Sequence, residues 1–163
     1  MLQQIDRVQD KLLSDTGISR EEALLEYKLA PLSSRRDMAI LAIIHRSVLG
    51  LGPGQFDKYF VANTSGRGSI RVSERRHNTQ LISLRTGNYL DMFKNSICGA
   101  IDIYNLLPQY VVDAGTVSTF QHRLQELLKT QIACTTCEWE LLYSPRKAIW
   151  NNHLRRLHDY NGK

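Results

Sequence analysis

The chain has 163 residues, 42% of them hydrophobic and 23% charged, with a formal net charge of +5 and a pI near 9.2. A chain of this length buries about 68–70% of its unfolded surface as one domain without a disulfide framework, and its odd number of cysteines, three, favours reduced thiols. The longest apolar run, Met38 to Ile44, falls far short of the ~20 residues of a membrane span, and the charged opening MLQQIDRVQDK lacks a signal-peptide core, so an intracellular protein with no membrane partner is expected.

Leu2, Ile5, Val8, Leu12 and Leu13 repeat at helical spacing, and Gly17 supplies the stop. Ser19 with Glu22 is a capping-box signature, opening a second helix through Ala23, Leu24 and Tyr27 that ends before Pro31 and makes a helical hairpin with the first. Ser33 or Ser34 is placed to cap the strongest helix candidate, residues 35–49. There Met38, Leu41, Ile44, His45 and Val48 share a face that Ala39, Ile40 and Ile43 widen, which predicts the central core helix. GLGPG at 50–54 breaks it, and a short helix is predicted from Gln55 to Phe60.

Residues 61–79 lack helical periodicity, are rich in Gly, Ser, Thr and Asn, and carry Arg67, Arg71, Arg75 and Arg76 against the single Glu74. Two readings stand: a solvated linker, or a loop whose arginine forks contact nucleic-acid phosphates. Gln80 to Leu84 is a strand candidate, although LISL lacks clean alternation. Tyr89 to Leu107 predicts one or two short helices with Phe93, Ile97, Ala100 and Tyr104 on one side, ending before Pro108. Cys98 and His45 fall on mainly apolar faces and read as packed interior residues. Ser118 with Gln121 fits another capping box, opening a helix over 118–133 whose Phe120, Leu124, Leu127 and Leu128 line one face.

Cys134 and Cys137 are spaced C-x-x-C, and His153 and His158 follow as H-x-x-x-x-H, a Cys2His2 ligand spacing suited to tetrahedral zinc. Against zinc, the spacer EWELLYSPRKAIWNN is interrupted by Ser-Pro. The alternative needs no cofactor: the two cysteines close the preceding helix, Trp139, Leu142 and Trp150 pack back on the core, and the histidines lie in the tail. Arg146, Lys147, Arg155, Arg156 and Lys163 oppose Asp159 alone in that tail, with Trp150 and Tyr160 interleaved as rings that stack on bases or anchor packing. The expected organisation is a mainly α, irregular helical domain over 1–133 with the long basic loop and a short strand or hairpin, then a basic aromatic tail over 134–163.

Tyr104, Asn105, Leu107 and Pro108, a spacer of about ten residues, then Phe120 and Leu124 form an aromatic-Asn-x-Leu-Pro … Phe-x-x-x-Leu pattern. It resembles the tail that follows the polymerase domain in many non-LTR retrotransposon reverse transcriptases, which more often have Trp at the Tyr104 position. IDRVQ at 5–9, residues 22–50 and LRTGNYL at 84–90 resemble the same region in the same order, so the similarity covers most of the chain. The resemblance implies a fragment of a larger retroelement polyprotein, partnered by the absent polymerase domain.

None of the resemblance covers a catalytic motif. The chain has no Asp-Asp pair for two-metal polymerisation, Asp57, Asp91, Asp102 and Asp113 fall singly in separate elements, and no phosphate-cradling G-x-x-x-x-G-K-S/T occurs. The expectation is a non-enzyme without a small-molecule substrate, an accessory module binding RNA or DNA phosphates through Arg67, Arg71, Arg75, Arg76, Arg146, Lys147, Arg155 and Arg156. The alternatives are a helical interaction module with no nucleic-acid role, and a small zinc-binding nucleic-acid module built on Cys134, Cys137, His153 and His158.

Overall fold

The computed structural model describes residues 2–63, 76–83, 96–133, 138–145 and 152–160. They are mainly helical: α1 (Leu2–Thr16), α2 (Arg20–Leu25), α3 (Leu32–Val48), α4 (Ile97–Asn105), α5 (Gln109–Val112) and α6 (Val117–Ile132), with 3-10 turns at Gly54–Phe56, Trp139–Leu141 and His153–Tyr160. Among the described residues no sheet forms, and the strand candidate at Gln80 to Leu84 contributes a single antiparallel bridge, Ala62 to Leu81. Phe93 and the rest of 84–95 lie outside the described residues.

Several helix ends follow directly from sequence. Gly17 and Gly50 take φ of +70° and +71°, the left-handed geometry that costs a residue without Cβ nothing. Each closes its helix by a bond across five residues, Ile18 N–H to Leu13 O and Leu51 N–H to Arg46 O, both at 3.0 Å. The Ser19 hydroxyl accepts from Glu22 N–H at 3.1 Å as the capping box requires, although α2 stops at Leu25 instead of running through Tyr27.

Two starts differ from expectation. α3 begins at Leu32, with Pro31 as its N-cap, because both serines proposed as caps lie inside the helix. Its first donor, Leu32 N–H, goes to Gln9 Oε1 of α1 at 2.9 Å, while Ser34 turns inward and donates to the Glu140 carbonyl at 2.8 Å. At α6 the cap is Thr116, whose extended backbone lets its hydroxyl accept from Thr119 N–H at 3.1 Å; Ser118 sits two residues later, already inside the helix.

α3 lies at the centre, against α4 and α6, with α1 on its outer side. Leu41 and Ile44 meet Ile101, Ile103 and Tyr104 of α4 and Phe120, Leu124 and Leu128 of α6 in one buried cluster. The predicted central helix and the α6 stripe are therefore both in place. Each such side chain contributes about 1.5–3 kcal/mol on burial. Trp139, Leu142, Tyr143 and Leu154 belong to the same cluster, so residues on both sides of position 133/134 share one core.

α1 meets the core differently. Leu13 is buried, yet Ile5, Val8 and Leu12 are 49%, 69% and 56% exposed. Polar groups do the docking: Asp6 takes both guanidinium nitrogens of Arg36 at 2.8 and 2.9 Å, Asp10 pairs with Arg20 at 2.8 Å, and Gln9 bridges Ala30 O and Leu32 N–H. The apolar stripe read from sequence is real, but three of its members face outward.

Candidate nucleic-acid interface

The basic loop springs from a fixed base. On one side of it, Asn63 N–H donates to Gln80 O at 2.8 Å and Ile82 N–H to Val61 O at 2.9 Å, tying the entering and leaving strands together. Two amides that flank the break between α4 and α5 then grip the leaving strand. Asn105, at the end of α4, accepts Leu81 N–H and donates to Leu81 O, both at 2.8 Å, as a neighbouring strand would. Gln109, at the start of α5, does the same for Asn78, accepting its N–H at 3.0 Å and donating to its side-chain oxygen at 2.9 Å.

Beneath this base runs a chain of buried polar groups. His77 is buried; its Nε2 meets the Tyr104 carbonyl at 3.0 Å and its Nδ1 meets Thr79 Oγ1 at 3.1 Å. His45 of α3 repeats the pattern, with Nε2 on the Ala114 carbonyl at 2.9 Å and Nδ1 on Tyr104 Oη at 3.1 Å. A carbonyl only accepts, so both rings donate from Nε2, and in neutral His45 the Nδ1 accepts from the Tyr104 hydroxyl. Tyr104 thus serves α3 with its hydroxyl and the loop base with its carbonyl. Burial pushes its phenol up to about 12, opposed by a hydrogen bond with Thr79.

Burial also pushes His45 below its ordinary 6.5, opposed by the bond to Ala114. The unfolded chain binds a proton near 6.5 while the folded ring does not, so this contribution is complete above 6.5 and is lost as pH falls through the lower folded value. The urea midpoint is expected to drop between pH 7.5 and 5, and His45→Gln to show a shallower dependence. An unchanged dependence in the variant would assign the effect to another group.

The expected phosphate contacts divide as follows. Arg76 is partly buried, its Nη1 donating to Leu154 O and its Nη2 to Arg155 O, each at 2.7 Å. Arg155 is half-buried in the His153–Tyr160 segment. Arg67, Arg71, Arg75, Arg146 and Lys147 lie outside the described residues, as does the side chain of Arg156. Residue 76 and residues 154–155 are therefore adjacent, which brings the end of one basic stretch against the other. The sequence reading missed His77, Asn105 and Gln109 as the parts that root the loop, since their contacts with it span 24 to 31 residues and leave no local signal.

Of the proposed zinc ligands, His153 is half-buried, Cys134 and Cys137 lie outside the described residues, and so does the His158 side chain. Among the described residues no group of three or more His, Cys, Asp or Glu is placed to hold a metal. Among them too, no helix is long and apolar enough to cross a membrane. Compared with known proteins, the chain matches no family model, no curated protein and no solved structure.

Proposed function

We propose a non-catalytic accessory module that binds RNA or DNA through phosphates, in keeping with the retrotransposon-tail resemblance of residues 104–124. The observation that carries it is the Arg76 fork. It joins two basic stretches separated by 78 residues, one containing Arg67, Arg71 and Arg75, the other Arg155 and Arg156. Clustered guanidinium groups gain affinity by displacing counterions from a phosphate backbone, and they fix register without reading bases.

The test is a salt titration against single-stranded RNA and duplex DNA. The wild-type chain is expected to show a steep log–log salt dependence, and the Arg71→Ala, Arg75→Ala double variant to flatten it by about 1.4 on single strands or about 1.8 on duplex, equally for unrelated sequences. Sequence-dependent losses would point to base readout, and a wild-type slope near zero would remove the proposal.

A second reading has its own observation in the outward stripe Ile5, Val8 and Leu12. Apolar residues clustered on one exposed helix face suit docking to another protein, such as the polymerase domain that the resemblance implies. A pure docking module has no salt-dependent affinity for nucleic acid, so the same titration separates the two.

A further inference from the structure

The guanidinium of Arg76 spans two consecutive backbone carbonyls, those of Leu154 and Arg155, at 2.7 Å each. A planar fork makes such a two-point contact, whereas an ammonium offers a single centre of charge. What the fork holds is the eight-residue 3-10 segment His153–Tyr160. Runs of 3-10 helix this long are uncommon because their hydrogen bonds are poorly aligned, so the segment depends on ties from outside. Leu154 supplies one by being fully buried, and Asn152 another, donating to Leu142 O at 3.1 Å while accepting Leu154 N–H at 2.9 Å. Arg76 supplies the tie that comes from the loop.

From this we infer that Arg76 is a positioning residue for the phosphate-binding surface: it seats Arg155 beside the root of the arginine-rich stretch, and its own charge is not the one a phosphate meets. The inference rests on the nucleic-acid reading above. It reverses the role that composition alone gives Arg76, and it separates charge from geometry. A phosphate contact tolerates lysine, which keeps the charge; a two-carbonyl fork does not.

The test compares Arg76→Lys, Arg76→Gln and Arg155→Gln, singly and combined, in the 163-residue chain by salt titration on single-stranded RNA and duplex DNA. Arg155→Gln is expected to flatten the wild-type slope by one contact, about 0.7 on RNA or about 0.9 on duplex. Arg76→Lys is expected to flatten it as far as Arg76→Gln does, and adding Arg155→Gln to Arg76→Lys is expected to change nothing further. Amide exchange should quicken in residues 153–160 of Arg76→Lys with α3 and α6 still protected. A wild-type slope in Arg76→Lys, or an Arg155→Gln effect of equal size in both backgrounds, overturns the inference and leaves the nucleic-acid reading standing. Loss of protection in α3 as well overturns it in favour of an arginine that only holds the fold. A wild-type chain without salt-dependent binding sinks the underlying reading, and that shows before any variant is made.

Discussion

Phe120→Ala is expected to lower the unfolding free energy by about 3–5 kcal/mol, the range for emptying a large aromatic site. The ring is fully buried, lies parallel to His45 of α3 at 4.1 Å between centroids with 7° between planes, and sits 6.1 Å from the Tyr104 ring. Removing it opens a cavity where α3, α4 and α6 meet and uncovers one face of a histidine that is held neutral by burial. The same cluster contains Leu41, Ile101 and Leu124, so the surrounding core is too tightly shared to collapse into the space at little cost. Phe120→Leu, which keeps most of the volume, should cost less than about 1.5 kcal/mol. Denaturant unfolding of the three proteins measures both values, and a loss below 1 kcal/mol for the alanine variant would make α6 peripheral.

Asn105→Ala is expected to cost about 2–3 kcal/mol, because it strips hydrogen-bond partners from both backbone groups of Leu81, a residue only 3% exposed. Local exchange reports this more directly than global unfolding. The amides of Leu81, Asn63 and Ile82 should exchange faster, since the bridge between the two strands loses its support from α4. Asn105→Asp separates hydrogen bonding from packing: it keeps the acceptor for Leu81 N–H but sets an oxygen against Leu81 O. It should therefore destabilise at least as much as alanine despite its closer shape. If aspartate restores wild-type stability, packing is what matters at this position.

Local chemistry was readable in the sequence. Gly17, Gly50, the Ser19 box and the boundary before Pro108 each act within five residues, and the α6 stripe needs only its period. Periodicity also found the α1 stripe, but a period does not say which neighbour a face meets. The neighbour is chosen by Asp6, Gln9 and Asp10, whose partners lie 10 to 30 residues away. Ser34 was misread as a cap for the same reason, since its true acceptor is 106 residues on. The basic stretches of the candidate interface were visible as composition. Their meeting was not, because it depends on an arginine whose carbonyl partners carry no side-chain signature.

The contacts of Glu140 have a consequence for how the chain acquires its structure. Its carboxylate takes Nη1 of Arg20 through both oxygens at 2.9 Å and its carbonyl takes Ser34, pairs separated by 120 and 106 residues. Closing loops of that length costs entropy that nearby contacts do not repay, which slows the final assembly. At about 5–20 residues per second, a ribosome needs roughly 6–24 s after making Arg20 to make Glu140. Until it ends, the Ser34 hydroxyl lacks its Glu140 acceptor and the core lacks Trp139 and Tyr143. The 138–145 segment is therefore expected to complete the packing of the N-terminal helices last, because its contacts with them can form only once it has been made.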